Sequence, residues 1–76
     1  MTEAADGETE RASAIDKAFR LIRAFDRDDT QGMGVSELAR RARLPKSTSH
    51  RVLSSLIENG AVQRVGDRYR LGPLFF

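Results

Sequence analysis

Pro45 sets the strongest limit on how this chain folds, because it lies between two stretches whose apolar residues repeat at helical spacing. A proline inside a helix removes a backbone hydrogen bond and clashes with the preceding turn, but the first turn of a helix tolerates it. The sequence therefore predicts a short helix from Ser36, its N-cap, to about Ala42, followed by a tight turn. A longer helix then starts near Pro45 and runs to Asn59, with Gly60 ending it.

A further amphipathic helix is predicted upstream, from Ser13 to Arg27, with Ser13 as its N-cap. Its apolar residues recur every three or four positions, which is the spacing of one buried helix face. We expect Phe19 and Phe25 to be core aromatics, together with Tyr69 later in the chain. The full predicted stripe, which Ala14 and Leu21 widen, consists of Ile15, Ala18, Phe19, Ile22 and Phe25.

The two later helices each carry their own apolar face, so all three helices are predicted to share one core. Leu38 and Ala39 point inward from the short helix, and Ser49 is given a packing role under the longer one. The predicted inward face of the longer helix consists of Val52, Leu53, Leu56 and Ile57.

The hydrophobic period changes from helical to alternating after Gly60, which predicts a β-hairpin. Two short strands, residues 62–65 and 68–71, flank the two-residue turn Gly66-Asp67. The second strand alternates between Tyr69 and Leu71 on one face and Arg68 and Arg70 on the other.

This order of elements predicts a mostly α fold with a small β-hairpin, a winged helix-turn-helix with three helices and a two- or three-stranded wing. A chain of 76 residues allows one small domain, and without cysteines its core must hold it together. We expect a disordered acidic tail at residues 1–12 and the domain at residues 13–72. Residues 73–76 are expected to begin a linker helix.

The net charge of +2 conceals an uneven distribution along the chain. The side chains of residues 1–12 sum to −3, and those of residues 13–35 balance. Residues 36–71 hold eight basic against three acidic side chains, a surplus of five. Positive charge concentrated in one segment favours a polyanionic partner more strongly than the net charge of the whole chain does.

The residues best suited to contact DNA lie at the start of the longer helix, the end that usually approaches the bases in a major groove. Arg51 lies one turn beyond Ser47 and Thr48 on the outward side, which makes it a strong candidate. The hairpin arginines are predicted to reach phosphates or the adjacent minor groove. The candidate DNA-binding residues are Lys46, Ser47, Thr48, His50, Arg51, Ser54, Arg64, Arg68 and Arg70.

Other functions have weaker support in the sequence. Ser47, Ser49 and His50 crowd one helical turn without an orienting acid, so we expect no catalysis, and a single His without Cys argues against a metal site. No cofactor is expected. No apolar run is long enough to span a membrane, and no N-terminal stretch resembles a secretory signal. A cytoplasmic protein is predicted.

Some structural interpretations stay open beside the functional ones. The hairpin arginines also fit an ordinary solvated face, and Arg40, Arg41 and Arg43 more often only solubilise a short helix. His50 also fits a packing group or a pH switch. The main rival to DNA binding is a winged-helix module for protein–protein interaction, although Lys46, His50 and Arg51 on the outward face argue against it.

The stretch LPKSTSHRVL, followed after the hairpin turn by RYRLG, resembles the N-terminal domain of IclR-type transcriptional regulators. The resemblance extends over residues 13–76, with Ser49 and Ala61 as departures that are expected to loosen packing and to leave the strand entry less buried. It implies a bacterial or archaeal regulator that binds operator DNA as a homodimer, with the first helix taking part in the pairing. It also implies a larger C-terminal domain, absent here, through which a small-molecule effector would act.

Overall fold

In a computed structural model that describes residues 13–26 and 31–75, three helices precede a two-stranded antiparallel hairpin and a terminal 3₁₀ helix. This is the predicted winged helix-turn-helix architecture. The predicted tail (residues 1–12), Arg27 and Phe76 lie outside the described residues. The elements are α1 (Ala14–Ala24), α2 (Val35–Ala42), α3 (Lys46–Glu58), β1 (Val62–Val65), β2 (Arg68–Leu71) and the 3₁₀ helix (Pro73–Phe75).

Helix α1 begins as predicted but ends earlier. The Ser13 hydroxyl accepts a hydrogen bond of 3.1 Å from the Asp16 N–H, which is the N-cap interaction. The predicted end at Arg27 is wrong, because Phe25 leaves the helix with ψ of 141° and is buried in the core. Burial of the Phe25 ring therefore ends the helix at Ala24.

Helix α2 starts one residue before its predicted cap. Gly34, not Ser36, is the N-cap residue, and its carbonyl accepts the Leu38 N–H at 3.1 Å. The extended backbone of Gly34 places Val35 inside the first turn, where its side chain packs against the core. Ser36 is exposed in that turn, so the prediction of Ser36 as the cap was wrong.

The turn between α2 and α3 depends on a left-handed residue. Arg43 has φ of 59°, and the Leu44 N–H donates to the Ala39 carbonyl at 3.0 Å, closing α2 with a Schellman-type bond. Pro45 then caps α3, so the two helices are joined through three residues, as the position of the proline predicts.

The core draws one fully buried leucine from each helix, namely Leu21, Leu38 and Leu53. Met33, Val62 and Tyr69 complete it from the hairpin side. Ser49 is fully buried, and its hydroxyl donates to the Pro45 carbonyl at 3.0 Å, so this departure fits the core with its polar group satisfied.

The predicted apolar stripe of α1 is only partly buried. Phe19 is 51% exposed and Ile15 is 68% exposed, so the prediction of Phe19 as a core aromatic was wrong. The prediction of Phe25 as a core aromatic is confirmed, and Leu21 and Ala24 are buried with it. The stripe was wider than one small domain can cover, and its N-terminal half remains at the surface.

The hairpin has the predicted strands and two-residue turn, and it pairs Arg64 with Tyr69 and Gln63 with Arg70. Gly66 adopts φ of 65°, as the first central residue of a two-residue II′ turn requires. Met33 adds an isolated antiparallel bridge to Tyr69, with two hydrogen bonds of 2.8 Å.

The entry to β1 is well buried, contrary to expectation. Ala61 is 3% exposed and Val62 is 1% exposed. The small side chain of Ala61 lies where the chain turns closely around α3, and its N–H donates to the Leu56 carbonyl at 2.9 Å. A larger residue is therefore not needed for burial here.

Candidate nucleic-acid interface

Helix α3 has one buried and one exposed face, and the predicted contact residues lie on or beside the exposed one. Ser49, Leu53 and Leu56 are buried against the core. The exposed candidates are Lys46, Ser47, His50, Arg51 and Ser54, and Thr48 is half-buried at the edge of that face. The structure therefore brings six of the nine candidates together on one helix.

The N-terminal end of α3 is electropositive. Its first turn contains no acidic residue and begins with Lys46, so the charge of the lysine adds to the positive end of the helix dipole. Ser54 donates to the His50 carbonyl at 3.1 Å within the helix, which leaves its oxygen as an acceptor toward the outside.

The hairpin arginines do not share one face. Arg68 and Arg70 lie together on the exposed face of the hairpin, where the Arg68 Nε donates to the Gly32 carbonyl at 3.2 Å. Arg64 lies on the opposite face across from Tyr69, its guanidinium carbon 5.9 Å from the ring centre. That distance is within cation–π range, so Arg64 has a structural partner on its own hairpin.

The arginines of α2 are partly paired within the domain. Arg41 lies 3.1 Å from the Glu37 carboxylate, and its guanidinium also donates to the Ala24 carbonyl at 3.1 Å. Arg40 lies 3.9 Å from the same carboxylate and is largely exposed. These contacts hold the Arg41 side chain against the domain, while Arg40 fits the solubilising role.

Lys17 of α1 is a neighbour of the α3 face that the sequence did not single out. It lines a cleft of about 300 Å³ together with Thr48, Arg51 and Ser55. The sequence places Lys17 on a polar edge of α1, but only the packing of α1 against α3 brings it beside Arg51.

Within residues 13–26 and 31–75, no three His, Cys, Asp or Glu side chains come close enough to hold a metal ion. The helices of that same part of the chain are also too short and too polar to cross a membrane.

The fold and the polar, basic face of α3 define the class of winged helix-turn-helix DNA-binding domains. The chain belongs to the IclR helix-turn-helix family, whose model matches residues 14–66. Its described architecture is thus that of a DNA-binding domain of transcription regulators.

Two solved structures are similar to the chain over 83% of its length. One is an IclR homologue from Microbacterium hydrocarbonoxydans in complex with 4-hydroxybenzoate, 33% identical with a TM-score of 0.74. The other, from Silicibacter sp. TM1040, is described as an ICLR transcriptional regulator and is 35% identical with a TM-score of 0.73. The chain covers 26% and 24% of these proteins, respectively. No curated protein matches the chain.

Proposed function

We propose that this chain binds double-stranded operator DNA sequence-specifically, with α3 in the major groove and the hairpin on the backbone or in the adjacent minor groove. The observation that carries the proposal is the exposed N-terminal half of α3. On a helix-turn-helix scaffold of a regulator family, it presents Lys46, His50 and Arg51 to solvent.

The exposed groups suggest a division of roles. Lys46, Ser47 and Thr48 lie at the end of α3 that enters a groove, so we assign them to base edges and nearby phosphates. His50 and Ser54 supply further polar groups along the same helix. Phosphate contacts are assigned to Arg51 and to the hairpin residues Arg64, Arg68 and Arg70.

The experiment is to measure binding of the chain to a set of short duplexes over a range of salt concentrations. The logarithm of the binding constant should fall linearly with the logarithm of salt, because phosphate contacts release counterions. One palindromic sequence should bind at least about 10³-fold more tightly than random DNA. Absent or salt-independent binding by the dimeric protein would contradict the proposal and favour a protein–protein interaction module.

The proposal includes a homodimer, because two copies on a palindromic operator double the contacts of a single half-site. The supporting observation is an apolar groove of about 470 Å³ between α1, α3 and the terminal 3₁₀ helix. Ile15, Phe19, Leu74 and Phe75 line it and are between 46% and 68% exposed. Apolar residues gathered in this way favour contact with a second protein surface.

We further propose that a small-molecule effector acts through a C-terminal domain, to which residues 73–76 begin the connection. The regulator is proposed to act on DNA in the cytoplasm and to catalyse no reaction. The chain spans about a quarter of the length of its solved relatives, and one of those was crystallised with 4-hydroxybenzoate. Adding that compound to the 76-residue chain should leave its DNA affinity unchanged. A change in affinity would place an effector site within this domain.

A further inference from the structure

A cluster of arginines surrounds a second cleft, whose lining shares no residue with the apolar groove. The cleft lies where the C-terminal half of α1 meets the end of α2 and has a volume of about 310 Å³. Two buried alanines and four arginines line it, and the arginines are Arg20, Arg23, Arg41 and Arg43. We call this the arginine cleft.

Two of these arginines are held in place by backbone carbonyls. Arg20 donates from Nη2 to the Arg43 carbonyl at 3.2 Å, and Arg41 donates from Nη1 to the Ala24 carbonyl at 3.1 Å. A guanidinium has five N–H donors, so each keeps donors for an external acceptor. Part of the side-chain entropy that binding would cost is therefore already lost in the folded protein.

The charge of the arginine cleft is only partly neutralised. Glu37 pairs with Arg41, while no carboxylate of the described residues lies within 4.0 Å of the guanidinium groups of Arg20, Arg23 or Arg43. Three guanidinium groups without a carboxylate partner among the described residues, around one open cleft, favour a ligand with several negatively charged oxygens.

Basic residues of α1 lie between the arginine cleft and the DNA-contacting face proposed for α3. Lys17, Arg20 and Arg23 follow one another along α1 at intervals of three residues, each turned by about 60° around the helix from the last. Lys17 shares a separate cleft with Arg51 of α3. Arg43 is the first residue of the turn into α3. Positive groups therefore extend from α3 along α1 to the arginine cleft over a span of roughly 9 Å between Lys17 and Arg23.

We infer that Lys17 and the arginine cleft bind the phosphate backbone of the DNA that flanks the segment read by α3. The interface then extends from α3 and the hairpin onto α1. This inference rests on the proposed DNA binding, and it assigns to α1 a set of contacts that carry no sequence information.

Arg23→Gln is the test variant, because Arg23 has no intramolecular partner among the described residues and its loss should leave the fold intact. Arg40→Gln is the matched control, since it removes the same charge from a largely exposed side chain outside the arginine cleft. Circular dichroism and thermal unfolding of both variants establish that they fold as the wild-type chain does.

Binding of wild type and both variants is measured on the preferred duplex and on random duplexes over a range of salt concentrations. Arg23→Gln should weaken binding to all duplexes by a similar factor, leave the sequence preference unchanged and reduce the magnitude of the salt slope by about one. Arg40→Gln should keep the wild-type slope. The double variant Arg20→Gln/Arg23→Gln should reduce the slope by about two and the affinity by at least about tenfold at 0.1 M salt.

The outcomes separate this inference from the proposed function. If the wild-type chain binds no DNA, the proposed function fails and the inference falls with it. If wild type binds DNA with the expected salt slope while Arg23→Gln behaves as wild type or only as Arg40→Gln does, the inference alone is overturned. The last measurement is a titration of the wild-type chain and Arg23→Gln with inorganic phosphate. If Arg23→Gln loses phosphate binding but keeps the wild-type affinity for DNA, the cleft is a small-anion site and the inference is overturned.

Discussion

At the scale of single residues, the turn between α2 and α3 contains a disfavoured backbone conformation that the sequence does not predict. Arg43 adopts φ of 59°, a region in which a side chain is disfavoured and glycine is usual. Nothing in the sequence marks this residue, because arginine is not a turn-former. The left-handed conformation follows from the need to close α2 and start α3 within three residues.

The change in stability on replacing Arg43 should therefore depend on whether the new residue tolerates the left-handed backbone, rather than on the lost charge. Arg43→Gly and Arg43→Ala remove the same side-chain contacts, but only glycine relieves the left-handed conformation. The glycine variant should be more stable than the alanine variant by about 1 kcal/mol, which is about 4–8 °C in Tm for a domain of this size. Thermal unfolding of both variants measures this difference, and equal Tm values would contradict the argument.

Gly72 is required for a different reason, which is space. A Cβ at this position would lie 2.6 Å from the Gly60 carbonyl oxygen and 3.1 Å from the backbone of Val62. Because the nearest atoms are backbone, Gly72→Ala should destabilise the domain by about 1–3 kcal/mol. Gly34→Ser is the control, since a Cβ there meets nothing within 4 Å and the hydroxyl can cap α2, so its stability should be unchanged or slightly higher. Denaturant unfolding compares the two, and equal losses would refute the steric explanation.

At the scale of elements, α3 combines two tasks on opposite faces. Its buried face holds Leu53 and Ser49 in the core, and its exposed face carries the proposed DNA contacts. Substitutions on the exposed face are therefore expected to change DNA binding with little effect on folding. The hairpin shows the same division, with Tyr69 buried and Arg70 exposed on the same strand.

Phosphate and base contacts should respond differently to substitution. Arg51→Ala and Arg68→Ala should weaken binding to all duplexes similarly, whereas Lys46→Ala or Thr48→Ala should change the preferred sequence, with about 1–3 kcal/mol at each affected base pair. Selection of bound sequences from a random duplex pool, followed by titration, measures both effects. Unchanged binding in all four variants would show that the interface lies elsewhere.

At the scale of the whole molecule, folding leaves an apolar groove of about 470 Å³ open at the surface. Phe19 and Ile15 of α1 and Leu74 and Phe75 of the 3₁₀ helix face it. A single small domain cannot bury both sides of α1, because α2 and α3 pack against only part of it. The surplus apolar surface is therefore available to a second copy of the chain.

If two copies pair through this groove as proposed, Phe19→Ser should shift the equilibrium toward monomer without lowering the Tm, because Phe19 is half exposed in the domain itself. Val65→Ser is the matched control, since Val65 is 48% exposed but lies on the hairpin outside the groove. Sedimentation equilibrium over a range of concentrations measures both variants. A wild-type chain that stays monomeric, or equal effects of both substitutions, would contradict pairing through this groove.

The sequence by itself determined the order of elements, the fold class and the face of α3 that meets solvent. These depend on local rules: Pro45 cannot continue a helix, Gly60 ends one, and period-two alternation predicts the strands. The position of most buried residues followed from the same periodicity.

Only the tertiary structure decided how much of each apolar stripe is covered and which basic groups become neighbours. Phe19 has the spacing of a core residue, yet it is 51% exposed. Arg64 belongs to the same hairpin as the other two arginines, yet it lies opposite Tyr69 on the other face. Lys17 and Arg51 are far apart in sequence and line one cleft only because α1 packs against α3. Burial and charge proximity depend on contacts between elements, and a local pattern does not contain those contacts.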